Sequence, residues 1–129
     1  MSIESTLYTR LSTFAGLTAL VSTRIYPLIA PQGVTYPAVT YQRISTMPRE
    51  VAMGSDPGIA RARIQVTAWG DTYTSVKAIA DQIRLALERY NTTGIFDIYI
   101  IAENDLYDEE ALKFGAAIDA EVVYSEATS

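Results

Sequence analysis

The sequence predicts an α+β fold: a single domain with a largely antiparallel sheet of four to five strands and two main helices on one face. Three observations carry this expectation. Apolar residues recur at helical spacing in two segments, 3–14 and 73–90. Four further segments, 38–46, 59–69, 95–102 and 112–124, run at strand spacing and fall in sequence-adjacent pairs, which favours antiparallel pairing. The chain has 129 residues, 49% hydrophobic and 19% charged, enough for one core and too little for two.

Ile3, Leu7, Leu11 and Phe14 lie at steps of four, four and three, on one face of a first helix. Ser2 is placed to cap its start and Gly16 to end it, and Leu17 to Val21 can add a further turn. Arg24 to Ile29 reads as a short extended piece interrupted by Pro27, followed by a loop marked by Pro31, Gly33 and Pro37. In strand 38–46, Val39 and Tyr41 point one way and Thr40, Gln42 and Ile44 the other. In strand 59–69, Ala60, Ala62, Ile64, Val66 and Ala68 form an apolar face, with Arg61, Arg63, Gln65, Thr67 and Trp69 opposite.

Asp71-Thr72 caps a second helix, whose stripe is Val76, Ile79, Ala80, Ile83, Ala86 and Leu87, with Asn91 and Gly94 at its end. Strand 95–102 is apolar on both faces except at Asp97, the pattern of a central or doubly covered strand. In the last strand Leu112, Phe114, Ala116, Ile118, Ala120, Val122 and Tyr124 are expected inward, and Lys113, Asp119 and Glu121 outward. Residues 125–129 are expected to fray.

Composition excludes several kinds of chemistry. The chain has no cysteine, hence no disulfide, thiolate nucleophile or cysteine metal site, and no histidine, the commonest general base and metal ligand. A net charge of −5 gives no general attraction to nucleic acid. No phosphate-binding loop is present, since Gly54-Ser55-Asp56-Pro57-Gly58 lacks the spacing and the lysine. Met1-Ser2-Ile3-Glu4 has no basic region or long apolar run, so no signal peptide is expected, and no apolar run approaches the ~18 residues of a membrane span. A soluble protein without catalytic residues, cofactor or metal is the expectation.

What remains points to contact with other protein chains. Arg61, Arg63, Gln65, Thr67 and Trp69 form a polar, arginine-bearing face ending in a tryptophan, and Arg43 of the preceding strand is a further candidate contact residue. The nine tyrosines, among them Tyr26, Tyr36 and Tyr41 near that strand, suit interfaces. A long loop, 47–58, carries Met47, Arg49, Val51 and Met53; its apolar residues either fold back onto the core or insert against a neighbouring chain, and the second is preferred. Glu103, Asp105, Asp108, Glu109 and Glu110 form an acidic segment without the glycine or spacing of a calcium loop, read as a solvated hairpin turn or a partner for a basic patch. Three classes stand side by side: an assembly component, a dimeric cellular adaptor, and a small carboxylate-dependent hydrolase. The last would need a cleft with converging Asp, Glu and Lys.

Arg24-Ile25-Tyr26-Pro27, Gln32-Gly33, Tyr36-Pro37-Ala38-Val39-Thr40-Tyr41-Gln42-Arg43, Ala60-Arg61-Ala62-Arg63-Ile64-Gln65-Val66, Trp69-Gly70-Asp71-Thr72-Tyr73, Asp105-Leu106-Tyr107-Asp108 and Ile118-Asp119-Ala120-Glu121-Val122 follow one another in a fixed order and spacing. The pattern, from about Ile3 to Tyr124, resembles the tail completion proteins of long-tailed bacteriophages and prophages. That resemblance implies a structural virion protein, a ring of six subunits capping the tail tube at its head-proximal end. Such a ring stops tube polymerisation and docks the head connector. The resemblance further implies assembly in the host cytoplasm, no catalysis or cofactor, and DNA passing through the lumen without specific binding. A cyclic ring needs two different complementary patches per subunit. The arginines of strand 59–69 and the acidic turn at 103–110 are the candidates, so reversing Arg61 and Arg63 to glutamate is expected to abolish the ring and spare the fold.

Overall fold

A computed structural model describes residues 2–50 and 58–125, the side chains of residues 48–50 excepted. In chain order the elements are α1 (Ile3–Thr13), α2 (Ala15–Val21), β1 (Ile25–Pro27), β2 (Ala38–Glu50), β3 (Ile59–Gly70), α3 (Tyr73–Leu87), β4 (Ile95–Asp108) and β5 (Lys113–Ser125). The five strands form one mixed sheet in the order β1-β2-β3-β5-β4. Only β1 runs parallel to its neighbour; all other pairings are antiparallel. The α+β expectation holds for this single domain, with a third helix and a fifth strand made explicit.

Helices α1 and α3 start where short polar side chains replace missing backbone partners. Ser2 accepts from the Ser5 amide and Thr72 from the Ser75 amide, each satisfying a donor that has no carbonyl one turn back. Their ends differ from the expectation. Phe14, not Gly16, breaks α1 by turning extended, and Gly16 lies inside α2, closely packed against Gln82 and Phe14. α3 stops at Leu87, where Arg89 takes a left-handed conformation with φ 60°, before Asn91 and Gly94 are reached. Arg10 locks this corner. Its Nε donates to the Ala86 carbonyl at 2.7 Å, and its guanidinium lies 4.3 Å from the Tyr90 ring centre and 5.0 Å from that of Phe14.

One core joins the helices to one face of the sheet. Ile3, Leu7 and Leu11 of α1, Leu17 and Val21 of α2, and the predicted stripe of α3 all close over Val39, the even-numbered residues of β3 from Ala60 to Ala68, and Ala116, Ile118, Ala120, Val122 and Tyr124 of β5. These inward positions are as the periods predict. Leu112 is the exception: it sits in the β4–β5 turn with φ 56° and is 67% exposed.

Three other expectations are corrected. β2 continues through Glu50, so Met47 and Arg49 belong to a strand and not to a loop; residues 51–57 lie outside the described residues. β5 reaches Ser125, and residues 126–129 also lie outside them. β4 is an outer strand, not a central one, and it runs six residues beyond the predicted end, to Asp108. Register shifts at Ile95/Asp97 and Ile100/Ala102 send Ile95, Ile98 and Ile100 to the core while Phe96, Tyr99 and Ile101 remain about half exposed. Bulges scramble a two-residue period, so the strand reads as apolar on both faces although only one face is covered.

Candidate interaction surface on the helix-free face

Strand period places Thr40 and Gln42 of β2, Arg61, Arg63, Gln65, Thr67 and Trp69 of β3, and Gly115, Ala117, Asp119 and Glu121 of β5 on the face away from the helices. A hydrogen-bonded chain crosses three strands there. Gln42 donates to Gln65 at 3.3 Å, Gln65 donates to Asp119 Oδ1 at 2.9 Å, and Arg63 donates to Asp119 Oδ2 at 2.6 Å. Asp119 is expected outward and does lie on this face, yet it is only 5% exposed, and these two donors supply the hydrogen bonds that water would otherwise give.

Beside this chain the face dips into a cleft of about 280 Å³. Thr40, Gln42, Gln65 and Thr67 make a polar floor, and Trp69 donates its indole N–H to Thr40 Oγ1 at 3.2 Å. Leu28, Ile29 and Tyr36 from the β1–β2 connection form one wall; Leu106, Asp108 and Lys113 from the β4–β5 hairpin form the other. Lys113 fixes that wall, donating to Asp71 at 2.6 Å and lying 4.9 Å from the Tyr36 ring centre. The Asp71 carboxylate holds the Lys113 ammonium above its ordinary pKa. The cleft lies just below the usual size range of small-molecule sites, and is sized for a few side chains.

The predicted site residues separate into three groups. In the first, Arg43, Arg63, Glu103 and Asp105 are held in ion pairs within the chain. Arg43 turns to the helix side and grips Glu4 with two hydrogen bonds of 2.7 and 2.9 Å. Burial works against the Glu4 charge, and the Arg43 hydrogen bond overcomes it, so the carboxyl sits below its usual pKa. Glu103 and Asp105 belong to β4 and not to a turn. Both accept from Lys77 of α3, and Asp105 also accepts from Tyr73 at 2.8 Å. The Tyr73 hydroxyl and then Lys77 hold the Asp105 carboxyl below its usual value, while Glu103 and then Asp105 raise the Lys77 ammonium. Arg63 is committed to Asp119.

The second group belongs to one end of the sheet. Arg61 is exposed and forms no ion pair among the described residues, opposite Met47 (45% exposed) and two residues from Ile59 (51%). Arg49 lies in β2 at this end, its side chain outside the described residues together with Val51 and Met53. The third group is at the other end: Trp69 in the cleft, Asp108 closing the hairpin by accepting from the Glu110 and Ala111 amides, and Glu109 and Glu110 exposed in the turn. From Arg61 to Gly70, which pairs with Phe114, is nine strand residues, or about 30 Å.

Sequence reasoning missed the cleft. Its one local signal is Leu28-Ile29, two apolar residues in a connection between Pro27 and Pro31, 64% and 74% exposed. Thr40, Gln42, Gln65 and Thr67 gave none, because a polar strand face looks alike whether flat or walled. Among the described residues no cluster of Asp and Glu is placed to hold a metal ion, and no helix is long and apolar enough to cross a membrane.

No curated protein matches the sequence. Among solved structures, a chain from the virion of a native gene transfer agent particle superposes with a TM-score of 0.76 at 18% sequence identity, over 96% of this chain and 95% of that one. At that identity the likeness establishes the fold. The family model for tail completion protein gp17 matches residues 5–125, nearly every described element. The chain belongs to the tail completion protein gp17 family and is a structural protein of the virion tail.

Proposed function

We propose that this tail protein assembles into a ring of six copies that caps the tail tube, ends its polymerisation and carries the joint to the head connector. The carrying observation is the separation of two unlike patches on one sheet. One end has Arg61 with exposed Met47 and Ile59; the other has Asp108, Glu109 and Glu110 beside the cleft. A head-to-tail contact between copies uses two such patches and closes into a ring when the rotation suits. The role is mechanical and needs no catalysis or cofactor. The tube protein and the connector are the neighbours along the axis. With −5 charges per copy, the ring lets DNA through without condensing on the wall.

Light scattering across a concentration series, with negative-stain images of the same fractions, tests this. Six copies of the 14.2 kDa chain weigh about 85 kDa. Rings at that mass support the reading. A dimer at every concentration overturns it in favour of a two-fold adaptor.

A further inference from the structure

We infer that the cleft on the helix-free face receives the 51–57 segment of a second copy of this chain. This deepens the ring reading and rests on it. Three observations point to this occupant. First, the cleft pairs exposed apolar walls (Leu28, Ile29, Leu106) with a floor of amide and hydroxyl groups, which suits a short peptide with a few apolar side chains and free backbone groups. The segment Val51-Ala52-Met53-Gly54-Ser55-Asp56-Pro57 has that composition, and a flexible methionine fills an irregular pocket readily.

Second, charge is complementary around the contact. The strands flanking the segment carry Arg49 and the exposed Arg61 against the single carboxylate Glu50, and the hairpin bordering the cleft carries Asp108, Glu109 and Glu110, its one cation Lys113 being held by Asp71. Third, reach excludes the chain's own cleft. Glu50 and Ile59 are register partners, so the eight residues between them extend at most about 14 Å from that pair. From Ile59 the nearest floor residue of β3, Gln65, is about 20 Å away and Trp69 about 33 Å. If the segment enters such a cleft, it enters that of another copy, and repetition of the contact runs head to tail.

Cysteine pairing tests this, since the chain has no cysteine of its own. Met53→Cys and Gln42→Cys are made as separate full-length variants, mixed and oxidised. The expected product is a mixed dimer containing one of each. Met53→Cys mixed with Leu85→Cys, on the exposed side of α3, is expected to give at least tenfold less. In the chain without cysteine, Met53→Asp is expected to lose assembly with unchanged circular dichroism. Retained assembly of Met53→Asp, or assembly by light scattering without the mixed dimer, overturns the docking and leaves the ring reading standing. A monomer at every concentration with no mixed dimer overturns both.

Discussion

The indole of Trp69 lies over Gly115, its register partner on β5: a β-carbon added at 115 would stand 2.8 Å from Cζ3 and 3.0 Å from Cε3 of the ring. Any side chain at 115 must therefore push the indole aside. The absence of a side chain on one strand lets the neighbouring tryptophan lie across it, shaping the cleft floor.

Gly115→Ala is expected to destabilise the chain by about 1–3 kcal/mol, the usual cost of forcing atoms into a packed site. Trp69 is the only tryptophan, so its fluorescence reports the displacement directly. In a Trp69→Ala background the same substitution should cost little, because the clashing ring is gone. Equal costs in both backgrounds would mean that the indole does not decide the residue at 115.

Arg63 and Asp119 should respond unequally to truncation. Arg63→Ala leaves a carboxylate that is 5% exposed with only Gln65 to hold it, and is expected to lower stability by about 2–3 kcal/mol. Asp119→Asn keeps an acceptor and frees an arginine that reaches water, and should cost about 1 kcal/mol. Urea denaturation of the two variants measures the difference. Charge reversal at Arg63 is thus a test of folding, and the interface is tested at Arg61.

Arg61→Glu is expected to leave the unfolding midpoint within about 0.5 kcal/mol of the native chain, as for other exposed sites. Assembly should weaken at least tenfold, and native assembly should fall as salt rises, since exposed charges are screened. Analytical ultracentrifugation over a salt series gives both readings. Salt-independent assembly would remove Arg61 from the contact.

Stability should be flat from about pH 5 to 9, because the chain has no histidine or cysteine to titrate there. On the acid side the sign follows from Glu4 and Asp105. Both carboxyls are depressed in the folded chain, so their contribution is complete above their ordinary values of 4.5 and 3.8 and is lost as pH falls below them. On the alkaline side Lys77 is raised, so its contribution is complete below 10.5 and lost as pH climbs beyond. Thermal melts from pH 2 to 11 should show both limbs, with the acid limb reduced in Glu4→Gln.

The sequence by itself determined the element types and which residues face the core. Helical and strand periods are local, and Ile3-Leu7-Leu11, the stripe of α3 and the even-numbered residues of β3 state them without reference to the rest of the chain. The arginine and acidic runs were legible as charge, but their use was not. Arg43 is taken by Glu4, 39 residues away, Arg63 by Asp119, 56 away, and Lys77 by Glu103 and Asp105, leaving Arg61 at one end of the sheet and Glu109 and Glu110 at the other. Tertiary structure alone decided these pairings, the outer place of β4 and the cleft between two connections. Each depends on strand order and register, and a one-residue shift or a bulge redirects a side chain to the opposite face with no change in composition or period.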